Sequence, residues 1–392
     1  MLTRRTLLAT LAAPAVTRAA RAATPLRLGV LTTLSGPAAD GAGQGSVLAA
    51  RMALEDGPIP GVILLAADMG ERPEQGAAIA REWLDRDGVH AIIDVPNSAT
   101  ALAVASIVRD RDRIALFSGP GSTALTRAAC SPNHLQWTYD TAALAAACGE
   151  AVLAEGGDTW FFLTADYVFG HSLQADITAV ITPKGGRVLG AAAFPSETND
   201  FSPLLLQAKA SGARVVALAC AGAQFETLVK QAAEFGLARQ GQTLASPLCL
   251  TTNVHAIGLE DAQGLLATEP FYWNLNDTTR AFTARFAPRN RGIAPTMVHA
   301  GVYAATAHLL ATVAAGADPA QGAATIAAMK RLPPAETLFP ATIRPDGGVS
   351  HPMHLFRVKA PAASSGPWDL YQPLRTLPPI TPGPAACSMP PA

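Results

Sequence analysis

The sequence predicts an α/β protein of two doubly wound, Rossmann-like lobes. Short apolar runs bounded by turn residues, at 27–32, 62–67, 91–95 and 114–117, alternate with helical patterns at 47–55, 75–87 and after Ser98. That is the mark of parallel strands joined by helical crossovers. The alternation restarts after about residue 141, with runs at 160–163, 186–193, 215–220 and 248–251 and helical patterns at 171–181, 203–211 and 224–235, so two units of similar size are expected. The composition agrees: hydrophobic residues make up 49% of the 392 and charged residues only 15%, enough apolar surface for well-buried cores.

Taken in order, the first 22 residues read as an export signal rather than as fold. Arg4 and Arg5 form its positive region, residues 7–16 an apolar stretch too short to span a bilayer, and Ala20-Arg21-Ala22 a small-x-small cleavage site. Thr3-Arg4-Arg5 ahead of Leu7-Leu8 also fits a twin-arginine signal, so export through either the Sec or the twin-arginine route is expected. No cysteine precedes Cys130, which rules out lipid attachment at the cleavage site and points to a free periplasmic protein.

The first strand runs into a glycine-rich loop at 35–45. The loop looks like a dinucleotide fingerprint, but Gly41 lies roughly ten residues past the strand and the spacing is G-x-G-x-G, whereas the fingerprint needs a tight turn directly after the strand. A loop lining a cleft is the expectation. Residues 91–126 organise the chain. Two buried strands end in Pro96-Asn97-Ser98 and in Ser118-Gly119-Pro120-Gly121-Ser122-Thr123, and each loop opens a helix. Ligands of open α/β sheets sit beyond the carboxyl ends of the strands, and free N–H groups at helix N-termini attract carboxylates. Two such loops with hydroxyls and an amide, but no Lys or Arg, suit a small carboxylate held by neutral donors. A simple helix-capping role for Ser98 and Ser122 is the competing expectation.

Beyond these loops the chain is extended at 135–140 and helical from 141 to 155. Residues 271–277 break the alternation. Helices follow at 278–288, 295–315 and 318–330, then strands at 342–344 and 355–358 around the turn at 344–348, and a Pro-rich irregular tail after Leu377. The apolar run at 298–317 carries His299, Tyr303 and His308 and reads as a buried helix, not a membrane span.

Several function classes drop out. A net charge of −1 leaves no basic footprint for nucleic acid. Ser172 sits in Gly-His-Ser-Leu-Gln, close to a hydrolase elbow, but the last glycine is missing and the serine lies well past its strand. His351 and His354 have metal-like spacing, but Pro352 keeps them off one helix face and no Cys or carboxylate cluster joins them. No P-loop lysine motif and no CxxC pair occur. No catalytic residue, metal site or cofactor is expected. Of the five cysteines, Cys220 and Cys249 lie in apolar runs as core thiols, and an oxidising compartment leaves room for one disulfide among Cys130, Cys148, Cys220, Cys249 and Cys387.

The segments LSGPAADGAGQGSVLAARMALED, VPNSATALAVA, LTRAACSPNHLQWTYDTAALA, WFFLTADYVFGHSL, NDFSPLLLQAKASGA, KQAAEFGL, FYWNLNDTTRAF, IRPDGG and GPWDLY span nearly the whole mature chain. Through them the sequence resembles the type I periplasmic substrate-binding proteins of ABC importers, in the branched-chain amino acid (leucine-binding) class. Within that class it looks closest to a subgroup associated with amino acids and aromatic or other small organic acids. The resemblance implies two lobes joined by a three-strand hinge, with the ligand between them. An N-terminal lobe of 23–140 plus 278–348 and a C-terminal lobe of 141–277 plus 349–378 follow, with 379–392 as the tail and crossovers near Asp140, residues 271–276 and residues 346–351. It implies that Asn97, Ser98, Gly121 and Ser122 hold the ligand, that Phe169 or the neighbouring Tyr167 covers it, that Gly222 makes a further contact, and that Tyr272 and Trp273 line the cleft. It pairs Cys130 with Cys387. It implies a small-molecule ligand, an inner-membrane ABC permease as partner, a monomer and no catalysis; an exported ligand-sensing domain of a regulator is the alternative with the same fold. One departure stands out: the acid that meets an amino acid's ammonium has no secure counterpart, with Asp166 and Glu226 as the candidates.

Overall fold

The computed structural model describes residues 25–70, 72–335, 338–379 and Cys387. The expected export signal and all of the Pro-rich tail from 380 onward except Cys387 lie outside the described residues.

The first sheet is built from β1 (Arg27–Thr32), β2 (Ile63–Asp68), β3 (Ala91–Asp94), β4 (Ile114–Phe117) and β5 (His134–Gln136), interleaved with α1 (Gly43–Asp56), α2 (Pro73–Asp85) and α3 (Ser98–Asp110). It is parallel throughout, in the order β2-β1-β3-β4-β5. β3 and β4 are buried on both faces, as central strands of a parallel sheet must be. The second lobe begins with α4 (Thr141–Ala154). It continues through β6 (Thr159–Ala165), α5 (Val168–Ile181), β7 (Arg187–Phe194), α6 (Ser202–Ala210), β8 (Val215–Ala219), α7 (Gly222–Glu234), β9 (Thr243–Ser246), α8 (Thr251–Ile257), α9 (Leu259–Ala262) and β10 (Leu266–Glu269). The chain then returns to the first lobe with α10 (Asp277–Phe286), α11 (Met297–Ala314) and α12 (Gly322–Arg331). It passes through the small ribbon β11 (Thr342–Ile343) and β12 (Val349–Ser350), and adds β13 (Met353–Val358) and β14 (Tyr371–Leu377) to the second sheet. That sheet runs β14-β13-β10-β9-β8-β6-β7, with β13 alone running against the rest, antiparallel to both its neighbours β10 and β14.

Each sheet is covered on both faces. In the first lobe α2 and α3 pack on one side and α1, α11 and α12 on the other. α11 is the one helix among the described residues long and apolar enough to cross a membrane, yet 72% of that stretch is buried, against α1 and the ends of β3 and β4. The glycine-rich loop serves this packing. The imidazole of His299 occupies the place where a Cβ on Gly45 would be, and its Nε2–H donates to the Ala42 carbonyl at 2.8 Å while Nδ1 accepts from Thr296 N at 3.1 Å.

Chain-order reading differs from the structure in the second half. The apolar run at 248–251 is not a strand: β9 ends at Ser246, and Leu250 already caps α8. β10 was not anticipated because Leu-Ala-Thr-Glu is short and ends in polar residues, yet it sits buried between β9 and β13. β14 was also not anticipated; it is an edge strand, which is why it tolerates Pro373. The extended piece at 135–140 is strand only through Gln136.

The chain passes between the sheets three times, through 137–140, 270–276 and 351–352, and the first and third passages are fastened together. Arg344 reaches Asp140 and Asp346, each at 3.1 Å, with the three side chains 10%, 5% and 12% exposed. Asp140 also caps α4 through Ala143 N at 2.7 Å. Gln136 N donates to Gly347 O at 2.9 Å, and the His351 ring lies between the carbonyls of Trp137 and Pro340, at 2.6 and 2.7 Å. Cys130 of the first lobe is bonded to Cys387, with the Cα atoms 5.9 Å apart; Cys148, Cys220 and Cys249 are free and buried.

Candidate functional site

The first-lobe edge of the cleft is set by backbone strain. Asp94 and Val95, at the end of β3, have φ of 81° and 55°, a region that costs non-glycine residues of order 1–3 kcal/mol each and persists only where the surroundings over-determine it. Here Val95 N donates to Leu31 O at 2.9 Å and Ser118 N to Asp94 O at 3.2 Å, while Thr32 Oγ1 donates to Asp94 Oδ2 at 2.8 Å. Asp94 is fully buried, and burial raises its carboxyl to about 6 against a background of Ser46, Thr32 and the Gly119 N–H.

This turn sets Pro96-Asn97-Ser98 just past the sheet edge. Asn97, not Ser98, is the helix cap: its Oδ1 accepts from Thr100 N at 3.0 Å. Ser98 is instead bound to the next loop, its Oγ accepting from Ser122 N at 3.3 Å. Ser122 caps a single 3₁₀ turn through Ala124 N at 3.3 Å. The two loops therefore lie side by side and touch. Gly121 between them is a close approach: a Cβ there would stand 2.8 Å from both the Phe169 and Tyr139 rings.

The second lobe presents α5. Tyr167 precedes its first turn and Phe169, 4% exposed, lies against Gly121, the two rings stacked at 6.2 Å. Ser172 is a mid-helix residue whose Oγ meets Ser122 Oγ at 2.8 Å, so it is a contact between the lobes rather than a residue on a strand-to-helix turn. One turn on, Asp176 accepts from Thr123 Oγ1 at 3.0 Å, Thr141 Oγ1 at 2.6 Å and Arg127 Nη1 at 2.9 Å. Ser98, Gly121, Ser122 and Phe169 thus converge, while the Asn97 side chain is turned to its helix cap.

The remaining candidates sit elsewhere. Gly222 opens α7 with φ of 71° and open space beside its Cα. Tyr272 is committed to second-lobe packing, donating to Trp368 O at 2.9 Å and accepting from Leu370 N at 3.1 Å. Trp273 Nε1 donates to the same carbonyl at 2.6 Å. Asp166 is exposed and bound to His171 at 2.8 Å, and Glu226 accepts from Asn253 at 2.8 Å. A cavity of about 420 Å³ lies along the glycine-rich loop, lined by Ser35, Asp40, Gln44, Asn290 and Arg291 among others, and none of the candidate residues lines it. His351 and His354 do not converge, and among the described residues no three metal-binding side chains come together.

Sequence reading missed Asp94, Tyr139 and Glu269. Glu269, the last residue of β10, is fully buried with the Tyr371 hydroxyl beside it and no cation. A charged residue ending a buried strand was its signal, hidden because β10 itself was not recognised.

Comparison with known proteins agrees with this architecture. Residues 25–366 match the family model described as periplasmic binding protein. A periplasmic binding protein from Burkholderia mallei superposes with a TM-score of 0.88 at 35% identity, over 93% of this chain and 98% of that one. A branched-chain amino acid ABC transporter periplasmic ligand-binding protein from Burkholderia xenovorans superposes at 0.84 with 37% identity, over 93% and 99%. A Leu/Ile/Val-binding protein homolog from Brucella abortus is 28% identical over 200 residues, half of each chain, so the match spans about half the length of that curated relative. The chain belongs to the periplasmic binding protein family, whose matched members are substrate-binding proteins of ABC transporters and not enzymes.

Proposed function

We propose that the chain is the solute receptor of an ABC importer. It takes a small carboxylate-bearing solute, a branched-chain amino acid or an aromatic or other organic acid, into the cleft between its lobes and delivers it to an inner-membrane permease. The paired loops carry this reading. At the carboxyl ends of β3 and β4, the Ser98 and Ser122 hydroxyls and the N-termini of α3 and the following 3₁₀ turn gather neutral donors at one point, with Phe169 opposite. Such a cluster suits an anion. The Burkholderia xenovorans relative supports the importer assignment. The family's description supports a periplasmic location, and the same reading takes the chain as a monomer exported through a Sec or twin-arginine signal.

Binding works through closure. Ligand seated on the first-lobe loops is covered by α5, and its affinity reflects how much better the closed arrangement holds it. The test is calorimetric titration of the Asn97→Ala/Ser98→Ala pair. Hydrogen bonds to a charged group contribute about 1.5–3 kcal/mol each, so affinity for the carboxylate ligand should fall by roughly tenfold or more while the variant stays folded. Unchanged affinity sinks the assignment of these loops.

A further inference from the structure

We propose that Trp368 is a closure residue: its indole N–H, donated from the second lobe to the Gly292 carbonyl of the first, holds the closed arrangement and so sets how tightly the solute is kept, from outside the ligand loops. This rests on the reading of the chain as a receptor that closes on its ligand, and adds to it a positioning residue that acts on affinity through the lobes.

The lobes touch at the ligand loops, where Ser122 Oγ meets Ser172 Oγ at 2.8 Å and Phe169 lies on Gly121. Another contact between them lies apart from those loops. Trp368 stands in the excursion between β13 and β14 of the second sheet, and Gly292 between α10 and α11 of the first lobe. The Trp368 Nε1–H donates to the Gly292 carbonyl at 2.9 Å. An indole has this one donor and no acceptor, so the whole hydrogen-bonding capacity of the side chain is given to the other lobe.

Both ends of the bond are fixed in advance. The Trp368 ring stacks on His255 of α8, with centroids 4.3 Å apart and planes at 19°. Its own carbonyl accepts from the Tyr272 hydroxyl at 2.9 Å and from Trp273 Nε1 at 2.6 Å. The excursion is closed by the Lys359–Asp369 pair at 2.7 Å and by Ser365 N on Asp369 at 2.9 Å. On the first lobe, Arg291 and Gly292 are left-handed, with φ of 55° and 80°. Their turn is held by Gly292 N on Ala287 O at 2.8 Å and Ile293 N on Asn290 O at 2.9 Å. A non-glycine residue in that region persists only where the surroundings impose it, and such outliers gather at functional contacts. A bond between two groups already in place loses little to ordering. When the lobes part, donor and acceptor return to water, so the bond counts only in the closed state and shifts the balance toward it.

The experiment is calorimetric and stopped-flow titration of the full mature chain and its Trp368→Phe variant, with leucine, phenylalanine and 4-hydroxybenzoate as probes. Phenylalanine at 368 keeps a ring on His255 and removes the donor. For each probe that binds wild type, the variant should bind about two- to tenfold more weakly. The loss should lie in the off-rate, with the on-rate within about twofold of wild type, because the bond is absent when the solute meets the open lobes. The urea midpoint should move little, since the bond joins the lobes rather than holding either one together. His255→Ala keeps the donor but frees the ring; it should raise the off-rate by less, and it carries the same comparison should Trp368→Phe not fold. Off-rates equal to wild type overturn the proposal, as does a weaker affinity carried by the on-rate. If none of the three probes binds wild type, the receptor reading fails and the closure residue with it, a result distinct from equal off-rates.

Discussion

The hinge and the cleft both bury carboxyl groups, and they treat them in opposite ways. At the hinge Asp140 and Asp346 share the Arg344 guanidinium. At the cleft Asp94 and Glu269 are more deeply buried and face no cation, Asp94 meeting only the Ser46 and Thr32 hydroxyls and the Gly119 N–H, and Glu269 only the Tyr371 hydroxyl. The hydroxyls of Thr251 and Thr252, which open α8 after β9, are unpartnered. Hinge polarity is consumed inside the protein, where it fixes how the lobes join. Cleft polarity is left over, as expected of a surface completed by something that comes and goes.

The sharpest way to break the contrast is to make the hinge resemble the cleft. Arg344→Met strands Asp140 and Asp346 in place, and removing one partner of a buried pair costs about 3–5 kcal/mol. Urea unfolding should show that loss; a loss under about 1 kcal/mol would mean the hinge pair is no better than a surface one.

The second way is to neutralise a cleft carboxyl. The folded-state value of about 6 for Asp94 lies above the ordinary 3.8, so the folded protein holds this proton more tightly than the unfolded chain does. Its contribution is complete below about pH 4 and is lost as pH rises through 6, amounting to about 3 kcal/mol. The buried His134 and His299, lowered to about 4, pull the other way over the same range, so the comparison must be with Asp94→Asn. The stability of wild type relative to that variant should fall by about 3 kcal/mol between pH 4 and pH 7. A difference that does not change with pH would show that Asp94 is already paired.

A smaller effect tests the closeness of the lobes. Gly121→Ala puts a methyl 2.8 Å from Phe169 and Tyr139, and overpacking of this kind costs about 1–3 kcal/mol. Phe169 belongs to the other lobe, so relieving that contact parts the lobes, and ligand affinity should fall more than stability does. Equal losses would place the strain in one lobe alone.

Much of this was legible in the sequence because the first lobe obeys local rules. Apolar runs, small-residue loops and helix starts fall in order from Arg27 to Asp110, and the loops at Asn97 and Gly121 lie where strand ends required. The second lobe was read less well because its sheet is completed from afar: β13 and β14 arrive after the chain has revisited the first lobe, and β10 is four residues long. Capping was read one residue off, since Asn97 takes the cap and frees Ser98 for Ser122. Left-handed backbone at Asp94 and Val95 leaves no compositional trace, because neither is glycine. The burial of Glu269 away from any cation is a property of its surroundings and could emerge only with them in place.

The central claim, that the cleft takes a small carboxylate, is tested most directly by a thermal-shift screen of the mature protein. Amino acids, hydroxybenzoates, cinnamates and short aliphatic acids would be run beside their methyl esters or amides. A ligand at one hundred times its dissociation constant adds about 2.7 kcal/mol, or about 3 °C for a chain of this length. The account predicts that shift from at least one free acid and none from its ester or amide. An ester or amide that stabilises as well as its acid would show that the loops at Asn97 and Gly121 do not read a carboxylate.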